Sequence, residues 1–397
     1  MLSGAAALVA EPPREAETTA TGPLSVLIRD ARDIPLDWQR GWDRLASEAS
    51  EPNVFAERWF VNAGTRYLLP DGPTWMLGVW RGGSELVGLL PVRIERRYGR
   101  TPVDHVQNWM HHQSFLGTPL VRRGEEVGFW TQVLKALDAA PWARGFFHMS
   151  ELVEDGPVHR GLVEAAAALG RPCPAVHRSR RAMLESDLSP QAYYEQAVRK
   201  KKRKEIGRLS ARLRELGTVS VTCPRSGPEA ARCCEEFLAL EAAGWKGRAG
   251  SALASDSAKE AFFRDTIAGA QAAGRLEFLR LALDDRPIAI LVNFFAPPAG
   301  FTFKIAFDEE YARFSPGVLL QIENLQVLER PDVAWMDSCA VENHPMINSL
   351  WTERRSVVRV TVPLAGRRRR AVYAGARALE TGSALLRRLL TARKTET

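Results

Sequence analysis

A strand of alternating residues runs into Ser315-Pro316-Gly317, and at that junction residue types and spacing point to chemistry. Phe301, Phe303, Ile305 and Phe307 alternate with Thr302, Lys304 and Ala306, the period of a strand. Pro316 suits a first helical position. A helix that opens off a strand presents unpaired N–H groups and the positive end of its dipole. The N–H groups of Gly317, Val318 and Leu319, with Ser315 at the turn and Arg313 adding charge, could hold an anion such as a pyrophosphate. The plainer reading is a helix-initiating turn.

Three carboxylates are candidate proton acceptors, with His344 as an outsider. Glu241 precedes Gly244-Trp245-Lys246, where the chain must turn. Asp308 ends the alternating strand, and Asp337 ends a short strand beside Ser338-Cys339. Each also reads as a capping or surface carboxylate. Lys304 is expected on the face opposite Phe303 and Ile305, to meet a phosphate or carboxylate or to reach solvent. Trp245 and Lys246 are candidates for a substrate pocket; the alternative for Trp245 is the core. His105, His111 and His112 are not spaced as a metal set, so no metal is expected. Cys339 has no histidine at a defined spacing to activate it.

These residues need elements to position them. The first half reads as a helix with Trp38, Trp42, Leu45 and Ala49 on one face, then a short helix over 56–63. A hairpin of 74–80 and 86–94 turns at Arg81-Gly82-Gly83-Ser84. The loop NWMHHQSFLGTPL (108–120), a helix over 126–139, a strand over 146–150 and a helix over 158–169 follow. The second half opens at Ser189-Pro190 with one long helix to about residue 216, then a strand at 219–222 and helices at 228–243 and 260–273. Strands at 276–283 and 288–295 flank Asp284–Pro287. The alternating strand, a helix over 317–329 and closing strands at 333–336 and 357–362 complete it. The order repeats between the halves, so the chain reads as a tandem α/β repeat. We expect a disordered leader at 1–23, domains at 24–183 and 184–363, and a basic amphipathic helical tail at 364–397.

The chain has 397 residues, 45% hydrophobic and 25% charged, as in a soluble globular protein of two domains. No run approaches the roughly 18 apolar residues of a membrane span. Five cysteines, Cys233 and Cys234 adjacent and the other three scattered, suggest free thiols and a cytoplasmic location. Much of the +7 charge sits in Arg199–Lys204 and in Arg367–Arg370. The first run is a solvated face or a site for an anionic acceptor or RNA, and no nucleic-acid motif accompanies it. The tail packs on the body or makes peripheral contact with an anionic membrane.

Trp245-Lys246-Gly247, Gly250-Ser251-Ala252-Leu253, Pro287-Ile288-Ala289, Ala306-Phe307-Asp308 and Tyr311 through Ser315-Pro316-Gly317 occur in an order that resembles one family. It is the GNAT-type acyltransferase group found with cellulose and exopolysaccharide genes, related to the Fem peptidyltransferases. The basic helix before Gly217 and Pro52-Asn53-Val54-Phe55 with Trp59 also fit. The resemblance spans about residues 25–362. It implies an α+β fold of tandem GNAT-like domains, mixed central sheets flanked by helices. It also implies acyl transfer from acetyl-CoA or another acyl-CoA to an amine of a small molecule or glycan precursor. The phosphate loop departs from the family by being poor in glycine, and no helical arm for aminoacyl-tRNA is evident. A Fem-like aminoacyl-tRNA transferase and a non-catalytic adaptor of polysaccharide synthesis are the alternatives.

Overall fold

The computed structural model describes residues 22–395, with side chains through residue 382. The expected leader therefore lies almost wholly outside the described residues. The first half contains β1 (Leu24–Asp30), α1 (Leu36–Glu48), α2 (Arg58–Tyr67), β2 (Thr74–Arg81), β3 (Glu85–Glu95) and β4 (His105–Asn108). It continues with β5 (Leu120–Val121), α3 (Glu126–Ala139), β6 (Phe146–Val153), α4 (Pro157–Ala168) and β7 (Ala175–Leu184). The second half contains α5 (Pro190–Ala197), α6 (Lys200–Arg214), β8 (Val219–Thr222), α7 (Gly227–Ala243), α8 (Trp245–Arg248), α9 (Ser257–Ala272) and β9 (Leu276–Leu283). Then come β10 (Arg286–Ala296), β11 (Ala299–Phe307), α10 (Pro316–Glu323), β12 (Trp335–Asp337), β13 (Glu353–Pro363) and α11 (Arg367–Thr395).

One mixed sheet runs β1-β2-β3-β4-β6-β13-β7-β12-β11-β10-β9-β8, with β5 on β3. Its two wings repeat. The β1–β2, β2–β3 and β3–β4 pairs are antiparallel and β4–β6 is parallel. The β8–β9, β9–β10 and β10–β11 pairs are antiparallel and β11–β12 is parallel. This is the expected tandem α+β architecture. At the centre the halves exchange strands: β13 lies between β6 and β7, and β7 pairs with β12.

Local chemistry explains the boundaries. The β2–β3 turn uses Gly82 and Gly83, and the β9–β10 turn uses Asp284 and Asp285, all at positive φ, the backbone twist a tight hairpin requires. Ser189 accepts from the Ala192 N–H to cap α5, and Asp256 accepts from Ala258 and Lys259 to cap α9. The expected long basic helix is instead two helices. Val198 and Arg199 adopt extended ψ angles of 122° and 139°, and Arg203 bonds back to the Val198 carbonyl at 2.7 Å. The helix expected over 317–329 is α-helical only to Glu323 and then tightens to a 3₁₀ turn. Strands β1 and β7 were not anticipated; no residue of β1 is fully buried, and the first half of β7 is largely exposed and basic, so neither carries a strong apolar signal.

The main core is built by both halves. Phe55 and Phe60 from the first half pack with Phe237, Phe262, Phe301 and Phe303 from the second. The tail is one helix. Its Tyr373 meets Phe146 at 5.7 Å, and Arg369 donates to the carbonyls of Asp138, Ala140 and Ala143 where α3 ends. Leu385, Leu386, Leu389 and Leu390, which carried the membrane reading, have side chains outside the described residues. Among the described residues no helix is long and apolar enough to cross a membrane.

Candidate active site

The parallel pair β11–β12 is short. It holds only at Ala299–Trp335, Gly300–Met336 and Phe301–Asp337. Beyond that point β11 continues to Phe307, while Cys339 turns away at φ 53°. An opening therefore lies beside Thr302–Phe307, and α10 starts next to it. A Cβ on Gly317 would lie 3.4 Å from Ile305 Cδ1 and 3.8 Å from Met346 Sδ.

At the same place β11 is bulged. Val292 faces Lys304 and Asn293 faces Thr302, so Phe303 is an extra residue. A bulge leaves the added residue out of the ladder and re-aims its neighbours. This overturns the strict alternation expected from sequence. Phe303 packs with the α7–α9 core and Ile305 with the α10 core. Lys304 joins Phe303 rather than opposing it, with Nζ 5.3 Å from the ring centroid. Burial pulls its ammonium down to about 8, opposed by the charge of Glu241 and reinforced by that of Lys246.

The three candidate carboxylates are held by the protein itself. Glu241 is buried; its Oε1 accepts from Lys246 Nζ at 2.7 Å and its Oε2 from the Leu253 N–H at 2.8 Å. Asp308 caps the following 3₁₀ turn through the Glu310 N–H and accepts from Arg286 at 2.7 Å. Asp337 is fully buried between Arg181 Nε at 3.2 Å and Arg355 Nη1 at 3.0 Å, and also takes the Cys339 N–H. Burial would raise its carboxyl, but the two guanidiniums and the N–H outweigh burial and hold it below the usual range. His344 Nδ1 accepts from the Ile347 N–H.

The donor-side residues are gathered but not all free. The N–H groups of Val318 and Leu319 both donate to the Ser315 carbonyl, at 2.9 and 3.1 Å. Of the three expected donors, Gly317 alone makes no such bond. Ser315 adopts φ 52°, which swings its carbonyl over the first turn. Arg313 is exposed and stacks over Phe314 at 4.8 Å. The basic helix α6 flanks this region by burying Leu213 with Phe314 and Leu320. Trp245 is not a core residue: it is 58% exposed, and its N–H donates to Glu309.

The repeat supplies an internal contrast. In the first half the β4–β6 gap is closed by the chain. Asn108 bonds both the N–H and the carbonyl of Ser150, and Gly117 donates to Glu151 at 2.8 Å. A Cβ on Gly117 would sit 2.1 Å from the Ser150 carbonyl, so the loop needs glycine there. The corresponding helix, α3, opens on Glu125 and Glu126, which repel an anion, whereas the first turn of α10 has no acidic residue.

A cleft of about 1280 Å³ is lined among others by Tyr98, His148, Phe115, Arg181, Cys339 and Arg359. Of the expected site residues only Asp337 borders it, through Arg181. Sequence reasoning missed Arg181 because it missed β7. The Cys339 thiol is pushed well above its usual range by burial, and Asp337 adds to this, which disfavours the reactive thiolate. His111 stacks on Phe60 at 5.3 Å, and burial pushes its imidazole down to about 3, with His112 adding to the effect.

Residues 200–343 match the acetyltransferase (GNAT) domain family. No curated protein matches the chain. Among solved structures, FemX is 10% identical, with 83% of this chain and 96% of that one covered and a TM-score of 0.55. The C-terminal domain of a lysylphosphatidylglycerol synthetase of Agrobacterium fabrum is 10% identical, with 86% and 96% covered and a TM-score of 0.51. A conserved protein of unknown function from Bacteroides thetaiotaomicron is 12% identical, with 85% and 99% covered and a TM-score of 0.50. At such identities the likeness is one of fold. Residues 200–343, which carry the bulged β11, its parting from β12 and the start of α10, are thus the part of the chain that matches the GNAT acetyltransferase domain family, within a chain that shares the fold of FemX.

Proposed function

We propose that this chain is an acyl-CoA-dependent N-acyltransferase of the GNAT type. The observation that carries the reading is the early parting of β11 from β12 beside a helix start without acidic residues, set against the counterpart in the first half that Asn108 bridges. Acetyl-CoA or a longer acyl-CoA would lay its pyrophosphate against Gly317 and Arg313, with the exposed cations of α6 alongside. Its thioester would enter the opening, where a bulge N–H on β11 is the oxyanion donor. The acceptor amine comes from the large cleft. Attack on the thioester carbonyl needs a neutral amine and expels the thiolate. We assign Lys304 to take the amine's proton, because a lysine brought near 8 is partly neutral at working pH.

The narrower assignment, an acceptor amine on a sugar or envelope precursor in the cytoplasm, rests on the ordered motifs and on five free cysteines. Thermal unfolding with a series of acyl-CoA thioesters tests the donor. Ligand at about 100 times its dissociation constant adds about 2.7 kcal/mol to stability. No shift with any thioester ends this reading. A second reading, an aminoacyl-tRNA donor, is favoured by the exposed Lys200, Lys201 and Lys204 on α6. It fails if no tRNA is retained on a filter at low salt.

A further inference from the structure

The floor of the large cleft carries a charge that acyl transfer leaves unused. Arg181 rises from β7 and is 7% exposed. Its Nη1 donates to the Phe115 carbonyl at 2.8 Å, and its Nε lies 3.2 Å from Asp337 Oδ1. Its Nη2 is buried without a hydrogen-bond partner, and the residue lines the cleft. Asp337 cannot neutralise it alone, because Oδ2 serves Arg355. Arg355 also feels the charge of Glu51, whereas among the described residues Asp337 is the one carboxylate within ion-pair distance of Arg181. Nδ1 of His148, 6% exposed and lining the same cleft, is a second buried nitrogen without a partner. Arg359, an exposed cation on the cleft wall, is matched by Glu151 at 2.7 Å. A buried ionised donor left unpaired is costly. The planar fork of a guanidinium suits a carboxylate or a phosphate.

We propose that Arg181 is the anchor of an anion subsite in this cleft, and that the acceptor amine therefore carries a carboxylate or phosphate group. The acceptor role rests on the acyltransferase reading; the anion subsite does not. Asp337 and Phe115 hold two edges of the guanidinium, so the remaining edge is aimed rather than mobile. Acceptors without an anion leave that edge unpaired and bind more weakly.

The test is calorimetric titration of the full chain with orthophosphate, methyl phosphate, acetate and succinate, with and without saturating CoA. We expect saturable anion binding that persists with CoA bound. It should weaken at least tenfold in Arg181→Gln while CoA affinity is unchanged. Tighter binding of the phosphates assigns a phosphorylated acceptor, and tighter binding of the carboxylates an acidic one. Should Arg181→Gln fail to fold, Ser179→Trp, which fills the cleft from the same strand, must give the same loss. Equal anion affinity in wild type and variant, or no anion binding by the wild type, overturns the proposal. Anion binding by a chain that ignores CoA would remove the acyltransferase reading and keep the subsite.

Discussion

Lys304 is where burial, charge and chemistry meet. Its ammonium is desolvated beside Phe303, with Glu241 partly offsetting the cost. Lys304→Met should lower kcat by about 100-fold, the lower range for loss of a general base. Wild-type kcat should rise with pH through about 8 as the lysine loses its proton, and the variant should lose that limb. Stability gives an independent readout. The folded value lies below the ordinary 10.5, so between about 8 and 10.5 the unfolded chain binds more protons and stability rises with pH. Lys304→Met flattens that rise and raises Tm at pH 7. Asp337 behaves oppositely. Asp337→Asn leaves two buried guanidiniums without a full counter-charge and should cost about 3–5 kcal/mol in denaturant unfolding. Because its folded value is depressed, its stabilisation is complete above the ordinary 3.8 and is lost only as pH falls through the lower folded value. The types and positions of these residues were legible in the sequence. Their roles were not, because which partner meets Glu241 or Asp337 depends on strands and loops far along the chain.

At the scale of elements, the contrast between α10 and α3 carries the most weight. Both follow the fourth strand of a repeat, yet one opens on Ser-Pro-Gly and the other on paired glutamates. Arg313→Glu should weaken CoA binding about tenfold at low salt and much less at high salt, because an exposed cation is screened. Equal weakening at all salt concentrations would place Arg313 in a buried contact instead. The helix start was readable from Pro316 and Gly317. The fate of its N–H groups was not, since Ser315 takes a left-handed conformation that composition does not encode. The bulge at Phe303 escaped notice for a similar reason. Period-2 alternation looks unbroken in the sequence, and only pairing with β10 shows that one residue is extra. The split between α5 and α6 was likewise hidden, because Val198 and Arg199 are ordinary helix residues.

For the whole molecule, strand exchange ties the halves together. β13 is hydrogen-bonded to β6 and β7, both from the first half, and Val357 enters the core that holds Phe55 and Phe262. Chains cut at 183/184 and expressed separately should each fail to give a cooperative unfolding transition, and co-expression should restore a complex. A folded, monomeric 184–363 fragment would show instead that the domain boundary drawn from sequence is a physical one. The shared core also links β11 to the cleft. Phe115 from the first half lines the cleft, lies 5.8 Å from Phe303 and accepts from Arg181 through its carbonyl, so one residue touches both β11 and the cleft floor.

Element type, the tandem repeat and the resemblance of residues 237–328 to GNAT enzymes all follow from periodicity, turn residues and motif order. These are local properties, set by side-chain spacing and backbone preference within a few residues. The pairing of β7 with β13, the burial of Asp337 between two arginines and the cleft over Arg181 are not local. They arise where segments more than a hundred residues apart share one sheet. Desolvation and charge at such a junction depend on every chain that packs there.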